Sequence, residues 1–453
     1  MSRNNDTIAA LATPVGSAAI AVLRVSGSDT EVIARGLGLA ALRPRRASHM
    51  DYRAQAGALL DDVIVTYFAG PHSYTGENSL EISCHGNPFI AQKILEDLLL
   101  RGCRLADPGE FTQRAFLNGK MDLSQAEAVM DLIQARSDRA LDAANRQLRG
   151  GLSKRMNPLI ESLLVVLARI EAYIDFPEED LPEDDRAATT LAISCISLEI
   201  NRLIATEHYG ALLRDGIKTV IVGAPNAGKS SLLNRLIGRD RALVSAEPGT
   251  TRDFIEERIV VGGHFLRLID TAGLNASPAP LERLGIEKTL ERAVEADLFL
   301  IVVDASAAAS PALPLPVDIR SRLTVDNTLV VLNKMDLVKD EPRLSALGGF
   351  EQVKVSALTG AGLEVLRATI GAKAEAFSRS PEDLVTINAR HAHSLQQARE
   401  LLQAAEAKFV GNEPIELIAS DLRGVLEAIG EIVGRVDNER MLDRLFATFC
   451  IGK

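Results

Sequence analysis

Residues 223–230 read Gly-Ala-Pro-Asn-Ala-Gly-Lys-Ser, a G-x-x-x-x-G-K-S loop that follows the aliphatic run 218–222 and opens the helical pattern Ser231-Leu-Leu-Asn-Arg-Leu236. A strand, a glycine turn and a helix in that order leave the chain few folding options. They predict an α/β layer in which loop amides and a helix N-terminus converge on phosphate oxygens. Gly223 and Gly228 let the backbone curl inward, Lys229 reaches the terminal phosphates, and Ser230 supplies a hydroxyl for Mg²⁺. Asn226, Ala227 and Ser231 complete the cradle.

Four further motifs follow. Residues 266–270 form a short apolar strand ending in Asp270, and Asp270-Thr271-Ala272-Gly273 is a D-x-x-G that holds the Mg²⁺ shell and senses a γ-phosphate. Gly249-Thr250-Thr251-Arg-Asp253 lies between the first two motifs, where Thr251 can cap both metal and γ-phosphate. Asn333-Lys334-Met335-Asp336 closes the run 329–332. A carboxylate there accepts two hydrogen bonds from the Watson–Crick edge of guanine, each contributing about 1.5–3 kcal/mol, whereas adenine offers no such donor pair. Ser356-Ala357, after the strand 352–355, forms a loop along the base edge. Five motifs in this order point to GTP and to a Ras-like doubly wound sheet.

The catalytic part departs from the Ras pattern. The position that holds a water-orienting Gln in Ras-like proteins is Leu274, which bonds nothing, so another group must hold the water. Glu282, at the start of a downstream helix, is either that group or a solvated helix charge. No arginine finger can be assigned. A monovalent cation beside the β-phosphate, with the Asn226 side-chain oxygen as a ligand, would supply the missing positive charge.

At 453 residues the chain is too long for one core. A net charge of −11 argues against a surface dedicated to nucleic acid, which needs clustered Lys and Arg. Cys84, Cys103, Cys195 and Cys450 fall at no metal-ligand or C-x-x-C spacing, which fits a reduced compartment. The first eight residues lack an apolar signal core, and aliphatic runs such as 298–303 are too short to span a bilayer. These features predict a cytoplasmic protein without membrane attachment.

Three textures run along the chain. Residues 6–118 mix strands, such as 63–68 and 80–84, with Gly/Pro turns and a helix over 89–100, an α+β domain. From Met121 to about Leu213 the period is helical. A second helical block runs from about His391 to Phe449, with Ile418, Leu422, Leu426, Ile429 and Val433 on one face. Two helical blocks around an α/β unit predict one all-helical domain with the nucleotide domain inserted in it. The expected divisions are 1–118, 119–214, 215–378 and 379–453. The acidic run 175–185 and the Ala/Ser/Pro-rich 305–316 read as surface connections. The chain ends Phe449-Cys450-Ile451-Gly452-Lys453, and the apolar residues 441–449 predict a helix that delivers this tail to a packed site.

Taken together, the G-x-P-N-A-G-K-S-S-L-L-N loop, G-T-T-R-D, D-T-A-G-L, N-K-x-D and the terminal C-I-G-K closely resemble the MnmE/TrmE family of bacterial tRNA-modification GTPases. The N-terminal runs 6–8, 12–14, 23–27, 108–111 and 115–118 resemble it too. The resemblance implies an aminomethyltransferase-like, folate-binding N-terminal domain that dimerises. It also implies an FAD-containing partner protein in a heterotetramer, and addition of an aminomethyl or carboxymethylaminomethyl group at C5 of the wobble uridine of certain tRNAs. The one-carbon donor would be 5-formyltetrahydrofolate or a related folate, contacted by Arg24, Glu81, Lys120 and Lys453, with Cys450 as the functional thiol. It gives Glu282 the water-orienting role and makes K⁺ the stimulating cation of G-domain dimerisation. The K⁺ ligands would be Asn226, Ser245, Glu247 and Thr250, within the nucleotide-contacting stretch Ser245-Ala246-Glu247-Pro248-Gly249-Thr250-Thr251. Ala224 and Asn87 depart from the family pattern; the first leaves the phosphate cradle intact, and the second blurs the folate mapping.

Two functions remain open on the sequence: an enzyme component of tRNA modification, or a GTP switch in RNA or ribosome assembly without one-carbon chemistry. Folate affinity of the N-terminal part separates them.

Overall fold

The computed structural model describes residues 6–39, 41–175, 183–238, 256–270, 295–307, 317–338, 349–377 and 385–434, and residues 442, 445–447, 449–450 and 452 near the C-terminus. They fall into two compact units. One holds residues 1–130, 148–180 and 407–453, and the other 131–147 and 181–406.

The first unit is built on a six-stranded sheet of order β3-β4-β5-β2-β1-β6. Its strands are β1 (Ile8–Leu11), β2 (Ile20–Ser26), β3 (Ala47–Arg53), β4 (Leu59–Phe68), β5 (Ser79–His85) and β6 (Arg104–Leu105). All pairs are antiparallel except β1 with β6. The two-residue alternation puts Leu23, Val25, Leu80 and Ile82 on one face, in a core shared with Ala91, Ile94 and Leu98 of the helix Pro88–Leu100. That helix starts where the Asn87 side chain accepts from the Phe89 amide at 2.9 Å and Pro88 fills the first turn. Arg24 and Glu81 alternate onto the opposite face, directly across from one another.

A pair of long helices belongs to the same unit. Gly151–Asp175 buries Leu152, Met156, Leu159, Ile160, Leu163, Val166, Leu167 and Ile170 at three- and four-residue spacing. It packs against Ile415–Val433, whose buried stripe is Ile418, Leu422, Val425, Ile429 and Val433. Val425 holds the inward position that the sequence assigned to Leu426, which is only half-buried, because a step of three rather than four follows Leu422.

The second unit carries the other sheet, of order β12-β11-β10-β7-β9-β8. It comprises β7 (Ile217–Gly223), β8 (Glu256–Val261), β9 (His264–Asp270), β10 (Leu298–Asp304), β11 (Thr328–Asn333) and β12 (Glu351–Lys354). The strands are parallel except for the β8–β9 hairpin. Two cores flank the sheet, one around Ile221, Leu300, Leu329 and Ile370 and one around Val220, Phe299, Ile301 and Val330. Central strands buried on both faces read as unbroken aliphatic runs, as 298–303 does.

The helix Asp138–Leu148 reaches this sheet through charge. Arg139 pairs with Glu375 of the helix Leu363–Phe377, and Glu375 also meets His264 Nε2 at 3.2 Å. Arg136 lies over the Phe265 ring at 5.5 Å. Burial pushes the His264 imidazole below its ordinary value. Among the described residues, one helical stretch, Arg186–Asp215, is long and apolar enough to cross a membrane by length and composition alone. It is interrupted at Ala205–Thr206, and its Ile193, Ile196, Ile200 and Leu203 are buried in the protein.

Candidate functional site

The loop 223–230 joins β7 to the helix Lys229–Ile237 in the middle of the sheet. Asn226 and Gly228 adopt left-handed backbone with φ of 61° and 90°. A Cβ on Gly228 would stand 2.3 Å from Asn333 Nδ2, so only glycine fits. Lys229 is buried, and its ammonium donates to the carbonyls of Gly223 at 3.0 Å and Ala224 at 3.1 Å, inside the curl of the loop. Ser230 follows in the first helical turn, exposed at the loop mouth like Asn226. A helix N-terminus, an enclosed ammonium and a serine hydroxyl make a donor set that fits nucleotide phosphates with Mg²⁺.

Asn333 ties this cradle to the rest of the site. It is buried at the end of β11, donates through Nδ2 to the Ala227 carbonyl at 2.9 Å, and accepts through Oδ1 from the Ala357 amide at 3.0 Å. Ser356 Oγ donates to Asp336 Oδ1 at 2.5 Å and accepts from the Thr359 amide at 3.1 Å. Arg235 fastens the same loop from below, donating to the carbonyls of Ala357 at 3.0 Å and Leu358 at 2.7 Å. Between these parts lies a cavity of about 410 Å³ lined by Gly228, Ser231, Asn234, Arg235, Asn333, Lys334, Asp336, Leu337, Ala357 and Leu358. Its apolar walls suit the faces of a heteroaromatic ring, and Asp336 offers an acceptor to a donor-bearing edge. Lys334 Nζ donates to Asp304 Oδ2 at 2.6 Å. Burial raises the Asp304 carboxyl, but the bonds from Lys334 and Ser306 outweigh it and hold the group below its ordinary value.

Other expected parts of this site lie outside the described residues. These are Ser245, Ala246, Glu247, Pro248, Gly249, Thr250, Thr251, Thr271, Ala272, Gly273 and Glu282. Asp270 is described in its backbone alone, at the end of β9 beside Ile221.

A second constellation sits on the first unit's sheet. The Arg24 guanidinium donates to Glu81 Oε1 from Nε at 3.1 Å and from Nη2 at 2.8 Å, and lies over the rings of Tyr74 and Phe111 at 5.4 and 5.7 Å. From the other end of the chain, Gly452 brings its carbonyl to Arg24 Nη1 at 3.4 Å. Gly452 has φ 90°, and a Cβ there would stand 2.4 Å from the Leu11 carbonyl oxygen, so the tail approaches β1 more closely than other residues allow. Cys450 is exposed, and its carbonyl accepts from the Gly109 amide at 3.3 Å. Phe446 and Phe449 are buried beside it, rings 5.2 Å apart, in a core with Leu123, Met130 and Leu442. The apolar pattern does deliver the tail to a packed site. Lys120 donates to the Pro71 carbonyl at 2.9 Å, and its stem packs on Gly76 of the loop that carries Tyr74. Lys453 lies outside the described residues.

An ion network around the buried Arg114 and Glu110, reaching half-exposed Asp6 and Arg104, lies in the same unit. Arg114 donates to Asp6 Oδ1 at 2.6 Å, Glu110 Oε1 at 2.9 Å and Glu77 Oε1 at 3.2 Å, and Arg104 bridges Asp6 and Glu110 again. Burial alone would raise the Asp6 and Glu110 carboxyls, but the two arginines hold both below their ordinary values. The local signal present was a carboxylate and a guanidinium four residues apart, Glu110 and Arg114, on a helix that also carries Phe111 and Ala115.

Residues 123–450 match the family model described as the MnmE helical domain, and residues 7–120 match that of the GTP-binding protein TrmE N-terminus. The chain belongs to the MnmE family. It is 58% identical over 450 residues to the tRNA modification GTPase MnmE of Opitutus terrae, covering 99% of each chain. It is 45% identical over 456 residues to the protein of the same name from Akkermansia muciniphila, again covering 99% of each. Both constellations therefore belong to an MnmE chain: the P-loop cavity within the span matched by the helical-domain model, and the Arg24–Glu81 pair within the span of the N-terminal one.

Proposed function

We propose that the 410 Å³ cavity and its loop bind and hydrolyse GTP, and that this turnover serves modification of the wobble uridine of certain tRNAs at C5. The observation that carries the first part is the pair of hydrogen bonds of Asn333, donated to the Ala227 carbonyl and accepted from the Ala357 amide, which tie the phosphate loop to the base-edge loop. Asp336 then reads the guanine edge, Lys229 meets the phosphates, and Ser230, with Thr251, holds Mg²⁺, which offsets phosphate charge when bound. Glu282 orients the attacking water, and K⁺ on Asn226, Ser245, Glu247 and Thr250 replaces an arginine finger as two G domains meet. Calorimetry with Asp336→Asn tests the base assignment: it should lose GDP affinity and gain affinity for xanthosine diphosphate. An unchanged guanine preference refutes it. Equal turnover in K⁺ and Na⁺ removes the monovalent ion.

The second part rests on the docking of the tail at the Arg24–Glu81 pair. Arg24, Lys120 and Lys453 are cationic partners for the carboxylates of a folate, and Glu81 suits the donor edge of its pterin. Cys450, two residues before the Gly452 carbonyl that meets Arg24, is the functional thiol. A homodimer joined through the N-terminal domains, an FAD-containing partner in a heterotetramer, and a cytoplasmic setting complete the reading. A helical domain carrying the inserted G domain, with divisions at 118, 214 and 378, is the organisation we assign. A pure RNA-assembly switch would have no need for the C-terminal tail at this sheet. Titration with 5-formyltetrahydrofolate, together with mass spectrometry of wobble nucleosides from cells lacking the protein, decides between the two. No folate affinity and normal wobble uridine would establish the switch.

A further inference from the structure

Asp304 ends β10 directly beside Asn333 at the end of β11, and the Ala305 amide donates to the Asn333 carbonyl at 2.9 Å. The next residue, Lys334, has a left-handed backbone with φ 64°, after which the chain enters the 3₁₀ turn Met335–Leu337. Its side chain lines the cavity. Its ammonium ends on Asp304 Oδ2 at 2.6 Å, while the other carboxylate oxygen is held by the Ser306 amide at 2.9 Å and hydroxyl at 2.6 Å. Asp304 itself does not line the cavity.

We propose that Asp304 is a positioning residue for guanine-nucleotide recognition, anchoring the Lys334 ammonium so that the lysine stem stands as a fixed wall of the base cavity. A lysine stem is four carbons long and strongly flexible, and ordering it when a ligand arrives weakens binding. Here one end is set by the left-handed backbone and the other by a charge-assisted bond. The carboxylate is fixed in turn by two bonds from Ser306, so the anchor itself does not move with the lysine. Because Asp304 acts through the lysine, its removal should affect nucleotide affinity and not the hydrolytic step. The inference rests on the reading that the cavity takes guanine nucleotides.

The test uses the full chain, with GDP calorimetry and steady-state GTP turnover on Asp304→Asn, Lys334→Met and the double variant. Lys334→Met keeps the stem and removes the anchor. Each single variant should raise the GDP Kd and the KM for GTP by about tenfold, with kcat at saturating GTP and the ligand-free melting temperature unchanged. The double variant should be no worse than either single one. Wild-type GDP affinity in Asp304→Asn, or multiplied losses in the double variant, overturns the inference while leaving the GTP reading in place. A wild-type chain that ignores GDP overturns both.

Discussion

The side-chain amide of Asn333 reaches back 106 residues to the carbonyl of Ala227 and, through its oxygen, takes the amide of Ala357. One buried side chain thus spans the phosphate end and the base end of the cavity. Asn333→Ala removes both bonds and leaves a carbonyl and an amide without partners, at a cost of about 1–3 kcal/mol each where water cannot reach. We expect a lower urea midpoint for the sheet of the second unit and weaker GDP binding together. Loss of affinity with no change in stability would place Asn333 at the ligand alone.

Glu282→Ala should leave GDP and GTP binding nearly intact and lower single-turnover hydrolysis by about 10²- to 10⁴-fold, the range for a displaced general acid–base group. Wild-type hydrolysis would return Glu282 to an ordinary solvated helix charge.

Gly452→Val places a side chain 2.4 Å from the Leu11 carbonyl on a backbone that L residues avoid, so the tail must leave β1. Folate affinity should fall at least about tenfold, or 1.4 kcal/mol, with GTP binding unchanged. Full folate affinity in this variant would show that the tail plays no part in that site.

The Asp6, Glu110, Arg104 and Arg114 network carries a pH signature. Both carboxyls are held below their ordinary values in the folded protein, so their stabilisation is complete above the unfolded values of about 4 and fades as pH falls through the folded ones. Arg114→Ala leaves Asp6 and Glu110 with Arg104 as their remaining cation and Glu77 without its guanidinium partner, and should cost about 1–3 kcal/mol at pH 7 because Asp6 is half-exposed. That cost should shrink only below about pH 4, as the folded carboxyls take up protons, and so be smaller at about pH 3 than at pH 7. Urea midpoints at the two pH values measure it, and a pH-independent loss would point to packing instead of charge.

How much of this was legible in the sequence depends on distance along the chain. The G-motifs could be read because each is local, a few residues at a strand end, and β7, β9, β10 and β11 fall where the aliphatic runs put them. The Arg24–Glu81 pair spans 57 residues and the Arg24–Gly452 contact 428, separations at which no local pattern reports proximity, and only the family resemblance joined them. Arg139 and Glu375, 236 residues apart, were invisible for the same reason. Asp304 was passed over because an aspartate closing a strand is common, and its meaning comes from the neighbouring strand.

The contact between Arg24 and Gly452 also fixes an order of events during synthesis. β2 leaves the ribosome first, and 428 further residues must be joined before the carbonyl that meets Arg24 exists. At roughly 5–20 residues per second that is an interval of about 20 to 90 seconds. Late in that interval, once residue 377 has been joined, the nascent chain can close its P-loop layer while the Arg24–Glu81 pair still lacks its C-terminal neighbour. A product terminated before residue 452 would therefore keep the nucleotide-binding layer and lack the tail's contact with Arg24.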